Sequence, residues 1–327
     1  MDGRFQATRI MSERPTAEGI EMVLVEKGES AAPHLKAGTP GRVMQQFDDV
    51  QREMDALRLE LNLLRRRDDT INYNMNRLDE ELRLAARLQR DFLPKSLPQL
   101  GAIRFHTLFR PAGYVSGDLY DVMRLDEQHV GFYIADAVGH GMPAALLTMF
   151  LKHALVTKEI YGGGYRLLKP SESMARLNES FIDQNLAHST FATAIYGMIN
   201  VRTLELTIAC AGHPMPVLLP EAGPMKNLPA TGGLLGIFPG ETYTDFTTQL
   251  SPGDRLILYT DGVEVAFGDD PSTGDPERWR QELVDRRLLP SATLLSAFSE
   301  CADKESGSLE PKDDLTMVMI EVGRSSH

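Results

Sequence analysis

The feature that most constrains this chain is an apolar repeat with alternating steps of four and three residues, from Val43 to Phe92. Thirteen of its fifteen successive positions are apolar, and no Gly or Pro interrupts residues 43–93. The two polar exceptions are Asp68 and Gln89. This spacing predicts one long helix with a coiled-coil seam. We therefore expect residues 43–93 to form a helical coiled-coil linker.

Charges beside the seam favour a homodimer through residues 43–93. Glu53 and Glu60 lie on one flank of the repeat, and Arg58 and Arg65 follow them by five residues on the other flank. In a parallel dimer both pairs attract. A hairpin within one chain and a helix lying on the globular domain are the alternatives.

Two local features modify this helix. Asp68 breaks the seam at its middle, either as a hinge or register device or as a tolerated polar position. Near the end, six residues widen the apolar face: Leu84, Ala85, Ala86, Leu88, Phe92 and Leu93. We expect that end to dock on the segment that follows. The arginines at 65–67 do not predict DNA binding, because Asp68 and Asp69 follow them directly.

The sequence on either side of the helix divides into an arm and a domain. Residues 1–42 carry six basic and six acidic side chains and one short apolar run, 20–25, which is too little for a core. They are predicted to be a variable or flexible N-terminal arm, with a single strand as the alternative. Pro94 and Pro98 end the helix. Residues 94–327 then form the third segment.

This third segment mixes strand and helix patterns. β-like runs alternate with helical patterns at about 144–156 and 171–186, and two more helices are expected within 276–304. Hairpin-like clusters of strands with helices between them are typical of antiparallel sheets faced by helices. The predicted fold class is therefore α+β.

Composition excludes several classes of protein. The chain has 327 residues, of which 42% are apolar, so it is not wholly disordered. A net charge of −12 argues against nucleic acid or an anionic membrane as a partner. The chain lacks a long apolar stretch and a signal peptide, so we expect a soluble, cytoplasmic protein. Cys210 and Cys301 lack metal-site spacing and fit a reducing compartment.

Aspartates recur where apolar strands are predicted to end. They are Asp118 and Asp121 in VSGDLYD, Asp136 in GFYIAD, Asp261 in LILYTD, and Asp313 and Asp314 before LTMVMIEV. Burial of each run carries its carboxylate to the rim of the core, which is costly unless the charge is paired or binds a cation. No Lys or Arg adjoins Asp118, Asp136 or Asp261. A cation from solution is the simplest compensation.

An all-oxygen set of ligands suits Mg²⁺ or Mn²⁺. Four or five carboxylates exceed what one Mg²⁺ usually takes from a protein, so we infer two ions. Two ions about 3.5–4 Å apart can deliver a hydroxide and hold a phosphoryl group for in-line attack. The pattern thus predicts hydrolysis of a phosphate ester. The alternative is that these aspartates are turn residues or helix caps.

Six motifs in order carry a family resemblance. They are VSGDLYD, ADAVGHGMPAALL, ATAIYGMIN with CAGHPMPVLL, GGLLGI, GDRLILYTDGVEVA and DDLTMVMI. Residues 94–322 resemble the SpoIIE-like (RsbU-type) serine phosphatases, a bacterial branch of the metal-dependent PPM protein phosphatases. The resemblance implies a β-sandwich flanked by helices, with Mg²⁺ or Mn²⁺ between the sheets. It also implies a phosphoserine or phosphothreonine protein as substrate.

The same resemblance implies a role for each residue of the site. Asp136 would bridge both ions, and the main-chain carbonyl of Ala137 would help to hold one of them. Asp118 would be a second ligand of that ion. Asp261 and Asp313 would hold the other ion.

The resemblance gives five further residues an alternative or a supporting role. Asp314 is the alternative ligand to Asp313. Asp121 is expected to be a structural acid. His140 is either a general acid for the leaving alkoxide or a structural residue. His213 is expected to brace a turn. Arg110 either reaches the phosphate or forms a surface ion pair.

Partners follow from the resemblance as well. Similar proteins act on phosphorylated STAS-type anti-anti-sigma factors, so a STAS protein is the expected substrate. Residues 1–42 are too short for a receiver, PAS or GAF sensor, which points to an upstream activator protein. We hypothesise that the posture of the helix ending at Leu93 determines whether the carboxylate site assembles. Alternatives are a catalytically silent PPM-fold interaction platform in a partner-switching pathway, and a kinase-like ATP-binding fold.

Overall fold

The computed structural model describes residues 10–16, 19–25, 40–186, 190–268, 278–306 and 312–324. Within them the helices are α1 (Pro40–Phe92), α2 (Met142–Ala154), α3 (Pro170–Ile182), α4 (Gly262–Gly268), α5 (Arg278–Asp285) and α6 (Ser291–Ser306). The strands are β1 (Ile10–Thr16), β2 (Gly19–Val25), β3 (Ile103–Arg110), β4 (Asp118–Arg124), β5 (His129–Ala137), β6 (Lys158–Tyr161), β7 (Gly164–Leu167), β8 (Ala192–Asn200), β9 (Glu205–Ala211), β10 (Val217–Leu219), β11 (Lys226–Asn227), β12 (Phe246–Gln249), β13 (Arg255–Tyr259) and β14 (Leu315–Val322). None of these helices is long and apolar enough to cross a membrane.

The described residues up to Asn74 belong to one compact unit, and those from Met75 belong to a second. In the first unit, β1 and β2 form an antiparallel hairpin with Ile10 opposite Val25. The apolar run of β2 was visible in the sequence, whereas β1, with the sequence IMSERPT, shows no strand pattern. The expected arm of residues 1–42 falls partly outside the described residues.

The predicted long helix is present as α1, which has 53 residues. Its seam is open to solvent within one chain, since Leu57 is 59% exposed and Leu78 is 55% exposed. Isolated apolar side chains on a surface are ordinary, whereas a row of them along a helix is typical of an interaction surface.

The end of α1 docks within the second unit. Ala86 is buried against Val115 and against Ala145 of α2. Leu84 and Leu88, which were expected to widen the docking face, are exposed instead. The expected docking is therefore present: of the residues expected to make it, Ala86 and Leu93 pack on the domain, and the polar seam residue Gln89 is buried beside them. Small side chains allow the backbones to approach closely.

Two five-stranded antiparallel sheets form the centre of the second unit. Their strand orders are β11-β10-β13-β14-β3 and β12-β9-β8-β5-β4. Ile103 and Val318 of the first sheet share one buried cluster with Phe132 and Ile195 of the second. The sheets therefore pack face to face, which confirms the α+β sandwich.

Helices cover the outer face of each sheet. Leu151 of α2 and Leu177 of α3 pack against Tyr196 of the second sheet. Phe267 of α4 and Phe298 of α6 lie in the cluster that covers the first sheet. The resulting order of layers is helices, sheet, sheet, helices. This arrangement buries both faces of both sheets and leaves their edges and loops to carry polar groups.

A glycine in the middle of the sandwich generates a testable prediction. Gly197 in β8 lies opposite Phe132 and Ile208, and a Cβ there would meet Ile208 Cγ2 at 2.7 Å. Gly197→Ala should therefore lower the free energy of unfolding by about 1–3 kcal/mol. Gly164→Ala is the control, because a Cβ there would lie 3.9 Å from its nearest neighbour, the Tyr161 carbonyl oxygen. Urea denaturation of both variants measures the difference, and equal stabilities would contradict the packing described.

Candidate metal centre

Both sheets deliver carboxylates to one edge of the sandwich. Asp118 at the start of β4 lies directly opposite Asp136 of β5 in the antiparallel register. Asp261 follows β13 by two residues, and Asp313 and Asp314 directly precede β14. Like charges directly opposite in a sheet repel. The structure thus brings the predicted ligands together from loops that are far apart in sequence.

Asp118 is the most buried of these carboxylates, at 1% exposure. Its Oδ2 accepts hydrogen bonds from Thr260 Oγ1 at 2.8 Å and from Thr316 Oγ1 at 2.6 Å. Burial, and then the charge of Asp136, raise the pKa of Asp118 well above its usual range. The two hydroxyls act in the opposite direction and hold the side chain in one orientation.

Asp136 has a pKa raised to about 7, first because it is buried and then because Asp261, Asp313 and Asp314 repel its charge. The pKa of Asp261 is raised by burial and by Asp313. The charged groups acting on both residues are all carboxylates. When these carboxylates are ionised they repel one another, and a divalent cation bound between them would offset that repulsion.

The adjacent acids Asp313 and Asp314 have different environments. Asp314 is buried, and its two oxygens accept hydrogen bonds from the amides of Ala112 at 2.7 Å and Gly117 at 2.6 Å. Asp313 is exposed, and its Oδ1 accepts a hydrogen bond from the Asp314 amide at 2.8 Å. Asp314 therefore holds the loop before β4, while Asp313 faces solvent.

Close backbone approaches complete the edge. The Ala137 amide donates to the Gly117 carbonyl at 3.1 Å, and a Cβ on Gly117 would lie 3.3 Å from the Ala137 carbonyl oxygen. A Cβ on Gly262 would overlap the Asp314 carbonyl oxygen. Glycine at 117 and 262 thus allows the main chain, including the carbonyl of Ala137, to lie beside the carboxylates.

The two histidines occupy different positions. His213 is buried, and its Nδ1 is 2.7 Å from the hydroxyl of Thr193, which lies opposite Asp136 in the register. Burial lowers the pKa of His213 to about 3, so the ring is neutral. His140 is exposed and lines a cleft with Asp313.

The remaining two predicted residues lie in ion pairs outside this carboxylate group. Arg110 donates to Asp303 of α6 and to the Ser299 hydroxyl, the latter at 2.9 Å. Asp121 pairs with Lys152 of α2 at 3.1 Å. Of the two readings of Arg110, the structure shows the ion pair, and Asp121 has a structural partner.

Gln89 links the end of α1 to this edge, and the sequence had marked it only as a polar exception. It is 1% exposed. Its side-chain amide donates to the Ser116 carbonyl at 2.6 Å and accepts from the Ser116 amide at 2.9 Å. The Ser116 hydroxyl accepts from the Asp118 amide at 3.0 Å. Helix α1 is therefore two hydrogen bonds away from a candidate ligand.

Two clefts open at the carboxylate edge. One of about 680 Å³ is lined by Asp313, Asp314 and His140, and one of about 580 Å³ is lined by Asp136 and Asp261. In the described part of the chain, no three His, Cys, Asp or Glu side chains already form a ready-made metal site. The carboxylates share an edge of the sandwich without forming a closed set of ligands.

The sequence of the chain is similar to those of two phosphoserine phosphatases. The chain is 28% identical over 244 residues to Phosphoserine phosphatase RsbU of Bacillus subtilis, covering 74% of this chain and 70% of the relative. It is 30% identical over 186 residues to Phosphoserine phosphatase RsbP of Bacillus subtilis, covering 56% of this chain and 45% of the relative. The chain thus spans less than half of the length of RsbP.

Solved structures share the fold. The SiaA-PP2C domain of Pseudomonas aeruginosa superposes with a TM-score of 0.63 at 22% identity, covering 76% of this chain and 98% of that domain. The sequence profile of the family described as Stage II sporulation protein E (SpoIIE) matches residues 126–323, more than half of the chain. The chain therefore belongs to the SpoIIE family of PPM-type phosphatase domains.

Proposed function

We propose that this protein is a metal-dependent phosphatase that removes phosphate from serine or threonine of a regulatory protein. The observation that carries the proposal is the group of carboxylates from two sheets, with Asp118 buried and Asp136 at a pKa of about 7. Family membership and the names of the relatives RsbU and RsbP support the same chemistry.

The donor set fits two Mg²⁺ or Mn²⁺ ions, since carboxylate and carbonyl oxygens are their preferred ligands. Asp136 would bridge the ions, Asp118 and the Ala137 carbonyl would hold one, and Asp261 and Asp313 would hold the other. When bound, such ions lower the pKa of water and neutralise the charge of a phosphoryl group.

The chain's own residues keep these ligands in place. Thr260 and Thr316 orient Asp118. Asp314 is occupied by two backbone amides, which supports Asp313 as the ligand of the pair. Asp121 is occupied by Lys152. Orientation by such neighbours is what makes a metal site specific.

The substrate and assembly are the finer part of the proposal. We infer a phosphorylated STAS-type anti-anti-sigma factor as substrate, by resemblance to the family. The exposed seam of α1 supports a parallel homodimer through residues 43–93. An upstream activator that binds the arm or the helix would supply the input signal.

Regulation would pass through the end of α1. Gln89 holds Ser116, and Ser116 holds the amide of Asp118. A shift of α1 by a fraction of a turn would break both hydrogen bonds of Gln89. The orientation of α1 would then determine the position of Asp118, a proposed metal ligand.

Removal of the bridging ligand tests the catalytic proposal. Asp136→Asn should lower the rate of Mn²⁺-dependent phosphate release from a phosphoserine peptide by at least about 100-fold. Asp121→Asn is the matched control, because it lies on the neighbouring strand and pairs with Lys152. The control should keep its rate within a few-fold. A wild-type chain that releases no phosphate would favour the silent interaction platform.

The raised pKa of Asp136 predicts how stability depends on pH. The pKa is about 7 in the folded protein and about 3.9 in an unfolded chain. Between these values the folded state binds more protons, so stability falls as pH rises through this window. In EDTA, the free energy of unfolding should drop by about 2–4 kcal/mol from pH 4 to pH 7.5.

Two comparisons make this measurement specific. Mn²⁺ added at pH 7.5 should restore the stability, because the ions bind only the folded site. In EDTA, Asp136→Asn should have the flatter pH profile, because the titrating group is gone. A metal-free wild type that gains stability from pH 4 to pH 7.5 would contradict the repulsion inferred here.

Gln89 tests the link between helix and site. Gln89→Leu leaves the buried amide and carbonyl of Ser116 without their partner, which should cost about 1–3 kcal/mol of stability. It should also lower kcat about tenfold or more by releasing the loop before Asp118. Gln51→Leu, an exposed position of the same helix, should leave kcat within about twofold. If the Gln89→Leu variant kept the wild-type kcat, the hydrogen bonds of Gln89 would stabilise the fold without affecting catalysis.

A further inference from the structure

A row of arginines lies beside the docked face of α1. Arg83, Arg87 and Arg90 are spaced by four and three residues, which places them on one side of the helix. All three are exposed. Together with Gly113 and Tyr114 of the loop before β4, this arginine row lines a cleft of about 680 Å³.

The cleft beside the arginine row adjoins the cleft at the carboxylate edge. Gly113 and Tyr114 line both of them. The Tyr114 hydroxyl donates to Asp79 of α1, which also pairs with Arg83 at 2.8 Å. These contacts attach the loop to the helix, so a peptide chain can pass from the carboxylate edge to the arginine row along one continuous surface.

Arg87 and Arg90 carry the charge of the arginine row that is available to a ligand. Arg83 is paired with Asp79 at 2.8 Å, and Asp91, which also lines the cleft, is paired with Lys95 at 3.7 Å. Arg90 Nε donates to the Ala86 carbonyl of its own helix at 3.3 Å, which fixes its direction without neutralising it. Guanidinium groups bind carboxylates through paired N–H donors.

The surroundings are strongly acidic. The chain carries −12, and residues 94–327 hold 19 basic against 29 acidic side chains. A phosphoprotein approaching the carboxylate edge is itself an anion and is repelled by this domain. A local positive patch beside the cleft offsets that repulsion and raises the rate of productive encounter. The arginine row lies in the place where such a patch is needed.

We propose that the arginine row binds acidic residues next to the phosphorylated residue of the protein substrate. The proposal rests on the proposed function and names a class of substrate for it, a phosphoprotein with an acidic segment beside the modified serine. Arg87 and Arg90 make the contact, and Arg83 with Asp79 and Tyr114 forms the wall of the cleft.

The test uses the full chain and two fluorescent peptides of equal length. Both carry a phosphonate in place of phosphoserine, so neither is consumed, and they differ by three flanking Glu in one and three Gln in the other. In Mn²⁺ at 50 mM salt, fluorescence anisotropy should show the Glu peptide binding about five- to tenfold tighter. At 300 mM salt the preference should shrink to about twofold.

The matched variants are Arg87→Glu and Arg66→Glu. Arg66 occupies the same position of the repeat three heptads earlier, roughly 30 Å away along the helix, and its change alters net charge equally. Arg87→Glu should reduce the preference below about twofold, and Arg66→Glu should retain it. Equal affinity for the two peptides in the wild type, or equal loss of the preference in both variants, would overturn the proposal.

The phosphatase proposal is tested separately. Mn²⁺-dependent phosphate release by the wild type from an ordinary phosphoserine peptide with Gln flanks needs no acidic segment. If that reaction fails while the preference for the Glu peptide depends on Arg87, the binding proposal is supported and the phosphatase proposal is wrong. If the reaction proceeds and no preference is found, the activity stands and the acidic-segment proposal is wrong.

Discussion

Mutual repulsion among carboxylates is the interaction on which the rest of this structure depends. Asp118 and Asp136 face each other across two strands, and Asp261 and Asp313 approach from the other sheet. Burial and like charge raise the pKa of Asp118, Asp136 and Asp261. A fold does not keep such a group together for its own stability, because apolar residues there would be cheaper. Grouped carboxylates with raised pKa values are typical of functional sites.

Neighbouring residues hold these mutually repelling carboxylates in position. Thr260, which follows β13, and Thr316 of β14 donate to Asp118 from the other sheet. Asp314 binds two amides of the loop before β4, and Gln89 of α1 binds the same loop from the other side. The loop from 111 to 117 is therefore the element shared by the helix and both sheets. If α1 shifts as proposed, the change would reach the carboxylates through this loop.

The order of the elements and the acids of the site could be predicted from sequence, because both leave local signals. The four–three repeat predicted α1, and carboxylates at the ends of apolar runs predicted which side chains would meet. The helices predicted at 144–156 and 171–186 are present in the structure as α2 and α3. The short helix α4 and the hairpin of β6 and β7 were not predicted, since neither has enough residues to show a period.

The contacts that hold the site together were beyond prediction. Gln89 and Ser116 are 27 residues apart, and Thr316 and Asp118 are 198 apart. Such pairs depend on how the two sheets and the helix pack together, and no local sequence pattern predicts that packing. Leu84 and Leu88 show the same limit, because the direction in which a helix docks is set by its neighbours.

Metal binding coupled to proton release tests the central claim most directly. Mn²⁺ titrated into the metal-free chain at pH 6.5, in two buffers of different ionisation enthalpy, reports both the binding and the protons released. Since the pKa of Asp136 is about 7, the account predicts saturable binding with release of protons, and loss of that release in Asp136→Asn. Absence of binding, or binding that the Asp136→Asn variant leaves unchanged in affinity and proton release, would contradict it.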